Sequence, residues 1–285
     1  MESVQQNVEP GKELPGGDES GHGTVCSERG TVHYWIRRHA DPQAPVLVLT
    51  HGVTANHRMF EKQVAWFAGT CTVITWDVPL HGQSRPYREF SYRNTAEELR
   101  AILDQEGLDR VVLVGMSMGG YPCQAFAMRY PERVCGFVAL DTTPFGLSYY
   151  SRSDQWWLRQ VGWMAMLFPE GMLRRSMAKS VSRTAYADDM MMAMLEPLSK
   201  REIVEQMEIA YAGFLRENAD ADFRFPVLIL LGEHDRTGKV RQYSEAWAKR
   251  TGYPLKWIPD AAHFSNADNP EAVNREIEAF LAGLA

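Results

Sequence analysis

The sequence has few cysteines and no long apolar run, and both absences narrow the class of protein. Its 285 residues include four cysteines at irregular spacings, Cys26, Cys71, Cys123 and Cys135. Irregular spacing fits reduced thiols better than a disulfide framework or a zinc site. No uninterrupted apolar run approaches the roughly 20 residues that cross a bilayer. We therefore expect a cytoplasmic protein without a membrane span.

An excess of basic charge is also missing. The formal net charge is −6, whereas nucleic-acid-binding proteins usually carry a basic face or stripe, so we expect no nucleic-acid partner. Part of the acidic excess lies in residues 1–22, which are rich in Glu, Asp, Gly and Pro and have Lys12 as their one Lys or Arg. This segment lacks the basic start and apolar core of a secretory signal. We predict that residues 1–22 form a disordered leader.

Motifs of cofactor and metal binding are absent as well. The sequence has no G-x-G-x-x-G turn of the kind that binds a dinucleotide. His51, His81 and His234 match no usual spacing of metal ligands, so we expect them to shape loops or to pack beside a site. The sequence therefore predicts no cofactor and no metal, and a small-molecule substrate as the partner.

From residue 23 onward, short apolar runs alternate with helical patterns. Runs such as V-L-V-L-T, V-V-L-V-G and V-L-I-L-L-G are apolar throughout, which is typical of parallel strands buried on both faces. The alternation predicts an α/β fold with a mainly parallel, twisted sheet flanked by helices. The predicted strands are residues 31–37, 46–50, 72–77, 111–115, 134–141, 227–232 and 255–259. The predicted helices around them are residues 59–68, 94–105, 121–130, 240–250 and 270–284.

The strand signals stop between residues 144 and 222. This stretch contains four helical patterns, over residues 153–168, 170–181, 187–195 and 199–217. We predict an inserted all-helical cap over residues 144–222, with the core formed by residues 23–143 and 223–285. The insert leaves from the end of one strand and returns to the start of the next. It can therefore cover the carboxyl ends of the strands, where open parallel sheets bind ligands.

Polar residues with catalytic chemistry follow several of these strands. Ser117 lies in G-M-S-M-G-G, Asp235 ends G-E-H-D, and His263 lies in A-A-H-F. Parallel strands end at the same edge of a sheet, so these side chains converge. A serine hydroxyl is a weak nucleophile that needs an adjacent base. His263 can accept its proton and return it to the leaving group, and Asp235 can fix the imidazole tautomer.

These motifs, together with H-G after the predicted strand 46–50, resemble the α/β-hydrolase family from residue 23 to the end of the chain. The resemblance implies Ser117 as nucleophile, His263 as base and Asp235 as acid. It also implies that the backbone N–H groups of Val53 and Met118 form the oxyanion hole, and that the helical insert is the family's cap.

Two positions leave the resemblance open to alternatives. Asp141 ends the predicted strand before the insert, where some relatives place the acid, although the commoner family site favours Asp235. Many relatives also carry D-x-x-G-x-G-x-S after the fourth strand, whereas this chain reads D-V-P-L-H-G-Q-S. Leu80 replaces the first glycine, which predicts a differently shaped turn.

The predicted cap is rich in Met and Trp, which favours an apolar pocket beneath it, and we predict Trp157 and Met164 as substrate-binding residues. The expected function is a serine hydrolase that cleaves a mostly apolar carboxylic ester or lactone through an acyl-enzyme on Ser117. One alternative is a hydrolase that cleaves carbon–carbon bonds of ring-fission products. Another is a sensor that binds a small ligand and retains the complete triad but turns over slowly or only once.

Overall fold

The computed structural model describes residues 20–217 and 219–284. Residues 1–19 of the predicted leader lie outside the described residues. Residues 20–22, its last three, belong to a β-strand. Strand β1 is Ser20–Ser27 and pairs antiparallel with strand β2, Gly30–Arg37, along its whole length. The sequence pattern misses β1 because its residues, S-G-H-G-T-V-C-S, do not alternate between apolar and polar, although its backbone pairs with β2. The core begins at β1 rather than at residue 23.

The described strands form one eight-stranded sheet in the order β1-β2-β4-β3-β5-β6-β7-β8. β1, β2 and β4 pair antiparallel, and all the other neighbours pair parallel. The predicted strands match the observed ones within one residue at each end. The remaining strands are β3 (Val46–Thr50), β4 (Thr72–Trp76), β5 (Val111–Met116), β6 (Val134–Leu140), β7 (Val227–Gly232) and β8 (Leu255–Ile258).

Helices cover both faces of the sheet, and each face has its own apolar core. Leu99 and Phe126 are fully buried on one face, whereas Phe67 and Ile277 are buried on the other. The helices of the sheet domain are α1 (Glu61–Phe67), α2 (Tyr92–Gln105), α3 (Gly120–Arg129), α10 (Val240–Thr251), α11 (Ser265–Asp268) and α12 (Pro270–Ala282).

Six α-helices lie between β6 and β7 in the described part of the chain, and we propose that this insert, residues 144–222, is the cap. The predicted helix 153–168 is divided in two, and the predicted helix 199–217 is interrupted by a π-helical turn, Ile209–Gly213. Within the described segments, no helix is long and apolar enough to span a membrane. The six helices are α4 (Arg152–Leu158), α5 (Val161–Ala165), α6 (Glu170–Val181), α7 (Ala185–Leu195), α8 (Lys200–Glu208) and α9 (Phe214–Glu217).

The turn after β4 keeps a glycine-like backbone at Leu80, with φ of 68°. A side chain in this left-handed region is strained. Two hydrogen bonds hold it, because Leu80 N–H donates to the Ser84 carbonyl (3.1 Å) and the Gln206 amide donates to the Leu80 carbonyl (2.7 Å). Leu80 thus adopts a backbone conformation that glycine favours, and the second bond ties the turn to Gln206 of the insert.

Candidate active site

Ser117 lies on a strained turn between a buried strand and a helix. β5 ends at Met116, and a single helical turn over residues 117–119 leads into α3. Ser117 has φ of 52°, which costs a residue with a Cβ atom of order 1–3 kcal/mol. This turn presents the hydroxyl at the carboxyl edge of the sheet. The Thr142 hydroxyl donates to the Ser117 carbonyl (2.6 Å) and holds the turn in place.

The two glycines of the motif let the backbone pass close to its neighbours. A Cβ atom at Gly119 would lie 2.1 Å from the Thr50 carbonyl oxygen, and one at Gly115 would lie 2.6 Å from the Gly119 carbonyl oxygen. Both contacts are with backbone atoms, which cannot move aside cheaply. Any side chain at Gly115 or Gly119 would therefore push α3 away from the sheet and displace Ser117.

Ser117, His263 and Asp235 form one hydrogen-bonded chain. Ser117 Oγ lies 2.8 Å from His263 Nε2, and His263 Nδ1 lies 2.8 Å from Asp235 Oδ2. Since Nδ1 faces a carboxylate, it carries the proton, which leaves Nε2 free to accept from the serine hydroxyl. The Thr237 N–H donates to the other oxygen of Asp235 (2.8 Å) and fixes the carboxylate. The sequence-predicted triad residues are thus brought together.

Asp141 lies close to this chain but makes no hydrogen bond to His263. Its carboxylate accepts from the Gly232 N–H at 2.7 Å and from the Ser265 hydroxyl. Burial, together with the negative charge of Asp235, raises the pKa of Asp141 to about 7. Asp235 behaves in the opposite way: burial alone would raise its pKa, but the charge and hydrogen bond of His263 hold it below its ordinary value. Geometry therefore favours Asp235 over Asp141 as the acid.

The buried imidazole of His263 is easier to protonate than a free one. Burial by itself lowers the pKa of His263, but the charge and hydrogen bond of Asp235 and the charge of Asp141 outweigh burial and raise it. An imidazole with a raised pKa is a stronger base, provided that the pH is high enough to keep it neutral.

This shift predicts the acid limb of the pH profile. A base must be neutral, so we expect kcat/KM for an uncharged ester to be lost as the pH falls through the pKa of His263. Because that pKa is raised, the midpoint should lie above the ordinary value of about 6.5. Stopped assays in buffers of constant ionic strength measure it. A midpoint at or below the ordinary value would contradict the assignment of His263 as the base.

Val53 and Met118 lie beside Ser117 as candidate oxyanion donors. A Cβ atom at Gly52 would lie 3.4 Å from Ser117 Cβ, so the backbone before Val53 passes in contact with the serine. In the part of the chain that the structure describes, the Val53 N–H makes no hydrogen bond. Met118 is the second residue of a helical turn, where backbone N–H groups have no acceptor within the helix. Both N–H groups are thus available to an oxygen bound at Ser117.

His51 orients the Val53 N–H through the peptide bond that precedes it. The Val78 N–H donates to His51 Nε2 (3.0 Å), so Nδ1 carries the proton and donates to the Gly52 carbonyl (2.8 Å). In a trans peptide, the carbonyl and the following N–H point in opposite directions. Fixing the Gly52 carbonyl therefore fixes the Val53 N–H. Burial lowers the pKa of His51 to about 4 and keeps the ring neutral for this role.

The other histidines that the sequence analysis considered are not grouped as metal ligands. His81 is buried, lies 5.2 Å from the ring of His51, and has a pKa lowered to about 3, mainly by burial. Among the described residues, no group of three or more His, Cys, Asp or Glu side chains is arranged to hold a metal ion. His234 precedes Asp235 in the loop after β7, and its backbone N–H donates to the Ala261 carbonyl (2.8 Å).

The loop that carries His263 is bonded to the cap. The Phe264 N–H donates to the Val181 carbonyl at the end of α6 (2.7 Å). Asp268 of α11 accepts from the N–H groups of Arg183 and Thr184, both at 2.8 Å. Its second oxygen accepts from the Ala262 N–H in the histidine loop (2.9 Å). One carboxylate thus joins the α6–α7 connection of the cap to the segment just before His263.

Ser117 lies at the junction of two cavities of unequal size. The larger, about 310 Å³, lies between the sheet edge and the insert. The smaller cavity has a volume of about 40 Å³, and Met118 is one of the residues that line it. Five residues line both cavities. They are Val53, Ser117, Tyr211, Thr237 and His263. The larger cavity is lined mainly by apolar side chains, and no Asp, Glu, Lys or Arg among the described residues lines it.

Of the two substrate-binding residues predicted in the cap, one lines the larger cavity and the other does not. Met164 lines the larger cavity. Trp157 does not line it: its side chain is 56% exposed on α4, because this short helix turns it toward solvent. Tyr211, which no sequence motif indicated, lines both cavities from the π-helical turn. Burial, with the charge of Asp235, raises the pKa of Tyr211. Helical periodicity carries no signal for such a turn, so pattern analysis had no means of finding it.

The mainly parallel sheet and the hydrogen-bonded Ser117–His263–Asp235 chain at its carboxyl edge agree with what the comparisons with known proteins show. A family model described as the alpha/beta hydrolase fold matches residues 45–270, and the chain belongs to this family. It is 24% identical to 3-oxoadipate enol-lactonase 2 from Acinetobacter baylyi over 269 residues, which cover 90% of this chain and 96% of the lactonase.

Two further relatives are esterases by name. Carboxylesterase YbfK from Bacillus subtilis is 25% identical over 276 residues, which cover 91% of this chain and 87% of the esterase. The solved structure of a thermophilic esterase from Thermogutta terrifontis matches with a TM-score of 0.75 at 22% identity and covers 94% of this chain and 99% of its own. The protein is therefore a hydrolase enzyme with the α/β-hydrolase fold.

Proposed function

We propose that this hydrolase cleaves a mostly apolar carboxylic ester or lactone through an acyl-enzyme on Ser117. The observation that carries the proposal is the hydrogen-bonded chain from Ser117 through His263 to Asp235, with 2.8 Å at each step. A serine hydroxyl bonded to a buried imidazole, which is in turn bonded to a carboxylate, is the arrangement that activates serine for acyl transfer.

The reaction proceeds in two halves. Ser117 Oγ attacks the carbonyl carbon as its proton passes to His263 Nε2, and Asp235 stabilises the imidazolium that forms. The N–H groups of Val53 and Met118 stabilise the negative charge on the carbonyl oxygen. The imidazolium then protonates the leaving oxygen, and the acyl group stays on Ser117. In the second half, His263 activates a water that releases the acid and regenerates the serine.

The cavity lining supports an uncharged, apolar substrate. Met164, Phe168 and Met177 line the larger cavity, with no charged side chain beside them in the described residues. An anionic substrate would lose its hydration there without gaining a cationic partner, which costs several kcal/mol. This disfavours the carboxylate-bearing ring-fission products of a carbon–carbon bond hydrolase.

The unequal cavities also restrict the shape of the substrate. The smaller one has room for little more than the carbonyl oxygen and a small substituent, so the bulk of the substrate occupies the larger one. An open ester then has one apolar and one small substituent. A lactone satisfies the same restriction, because its acyl chain and its ester oxygen belong to one ring. That ring can occupy the larger cavity as a whole. The names of the enol-lactonase and the carboxylesterase among the relatives are in keeping with a lactone or an ester as the bond cleaved, although the lactone of 3-oxoadipate itself carries a carboxylate.

A fluorophosphonate tests this proposal directly, because the oxygen of an activated serine attacks its phosphorus, displaces fluoride and forms a stable phosphonate ester. We expect the intact mass of the wild type to increase by one adduct, and Ser117→Ala to show none. An unlabelled wild-type protein with native circular dichroism would overturn the acyl-enzyme proposal. Turnover of p-nitrophenyl acetate beyond one equivalent per protein then separates an enzyme from a sensor with a slow triad.

Tyr211 provides a test of substrate contact. In the described chain its hydroxyl has no hydrogen-bond partner, although it lines both cavities. We expect it to donate to the substrate, so Tyr211→Phe should lower kcat/KM by about 2- to 10-fold, the value of one net hydrogen bond. Tyr186→Phe is the matched control, because the Tyr186 hydroxyl donates to Glu61 (2.7 Å) away from both cavities. Equal kcat/KM for the two variants would exclude this contact.

A further inference from the structure

The insert carries a concentration of exposed apolar side chains. Of the ten large apolar side chains that are exposed in the described part of the chain, eight lie between residues 156 and 172. An exposed apolar cluster of this kind marks an interaction surface. Its members are Trp156, Trp157, Trp163, Met164, Met166, Leu167, Phe168 and Met172.

Three of these side chains are consecutive and stand in the turn between α5 and α6. Met166, Leu167 and Phe168 are exposed by 51%, 71% and 46%, and we name residues 166–168 the cap tip. The Lys200 ammonium donates to the Met166 carbonyl (2.6 Å), which anchors the backbone of the turn to α8. The cap tip therefore combines a held backbone with apolar side chains that point into solvent.

The cap tip stands at the mouth of the larger cavity. Phe168 and Met164 line this cavity, yet both are also exposed at the surface. Ser176 and Ser180 of α6 likewise line the cavity and are exposed. The cavity thus opens beside the cap tip, between α5 and α6. A surface that contacts the cap tip would meet the cavity entrance.

The segment that carries this apolar surface is basic, although the chain is acidic as a whole. Residues 152–183 contain six Lys and Arg but two Asp and Glu, against a net charge of −6 for the whole sequence. Both acids are paired, Asp154 with Lys239 (2.5 Å) and Glu170 with Arg174 (2.5 Å). Arg175 and Lys179 of α6 are exposed and have no ion pair among the described residues.

We propose that the cap tip docks on an anionic lipid surface, with residues 166–168 inserted among the acyl chains and Arg175 and Lys179 facing the headgroups. Apolar side chains flanked by basic ones are what binding in the plane of such an interface requires. A second copy of this chain fits less well, because it would bring two basic rims together and cover both cavity mouths. The lipid surface instead faces the entrance with an apolar phase, from which an apolar substrate partitions into the cavity.

Sedimentation with sucrose-loaded vesicles tests the proposal. We expect the full chain to bind vesicles of phosphatidylcholine with phosphatidylglycerol, and to bind phosphatidylcholine alone more weakly by on the order of tenfold. The double variant Met166→Asp/Leu167→Asp should weaken binding by on the order of 100-fold, since it replaces two inserted side chains by charges. Trp66→Asp is the matched control, because Trp66 is 41% exposed on α1, outside the cap, and should bind as the wild type does.

The readout does not depend on the proposed serine chemistry, since Ser117→Ala should bind vesicles like the wild type. Met166 and Leu167 line neither cavity at Ser117, so the double variant should hydrolyse a water-soluble ester at the wild-type rate, which also shows that it is folded. Absence of vesicle binding by the wild type, or binding unchanged by the double substitution, would overturn the proposal. A wild-type dimer that the double substitution dissociates, without vesicle binding, would assign the cap tip to a second copy instead.

Discussion

Ser117→Ala is expected to lower kcat for an ester substrate by on the order of 10⁵- to 10⁶-fold, the largest effect of any single substitution in this chain. The variant loses the oxygen that forms the acyl-enzyme, while the N–H groups of Val53 and Met118 and the apolar cavity remain. A residual rate above the uncatalysed one is therefore expected. Initial rates with p-nitrophenyl butyrate at micromolar enzyme concentration measure the loss.

Ser117→Gly is the matched variant that separates chemistry from strain. Alanine keeps the Cβ atom at φ of 52°, whereas glycine adopts this conformation freely. Both variants should be equally inactive. Thermal unfolding should show the glycine variant more stable than the alanine variant by about 1 kcal/mol, since the strain of the turn is relieved. More than a few per cent of wild-type activity in either variant would rule out Ser117 as the nucleophile.

Asp235→Asn is expected to lower kcat by on the order of 10³- to 10⁴-fold without unfolding the protein. An amide NH₂ at the position of Oδ2 cannot accept from His263 Nδ1, so the imidazole changes tautomer and Nε2 no longer accepts from Ser117. Steady-state kinetics over a range of pH measure the effect.

Asp141→Asn is the matched control for this assignment. Its side-chain oxygen can still accept from the Gly232 N–H, and its NH₂ group can donate to the Ser265 hydroxyl, so only the direction of the second hydrogen bond is reversed. We expect less than about a tenfold loss of kcat. Because one negative charge near His263 is removed, the pKa of His263 should fall and the acid limb of kcat/KM should move to lower pH. The reverse ranking, with Asp141→Asn the more damaging, would transfer the role of the acid to Asp141.

The sheet, and the proximity of Ser117, His263 and Asp235, can be predicted from the sequence because both depend on strong local signals. β3, β5 and β7 are apolar throughout and buried on both faces, so their bounds and parallel pairing are predictable. Polar residues that follow parallel strands must share one edge of the sheet, which is why Ser117, Asp235 and His263 could be brought together without coordinates.

The features that were missed depend on tertiary contacts. β1 forms because β2 offers it a backbone partner, although its own sequence is largely polar. Tryptophan is a residue type that often lines apolar pockets, but Trp157 lies on the short helix α4 and is exposed to solvent. Tyr211 reaches both cavities only because a π-helical turn shifts the register of the last cap helices, and no periodicity reports such a turn.

The bonds from Val181, Arg183 and Thr184 to the histidine loop limit how the cap can be redesigned. Replacing residues 144–222 as one cassette with the insert of another family member would break the contacts that Phe264 and Asp268 make with the α6–α7 connection. Such a chimera would alter the position of the base along with the pocket. Grafts confined to residues 152–180 leave those bonds intact, so on that side of the cap the substrate range can be engineered separately from proton transfer.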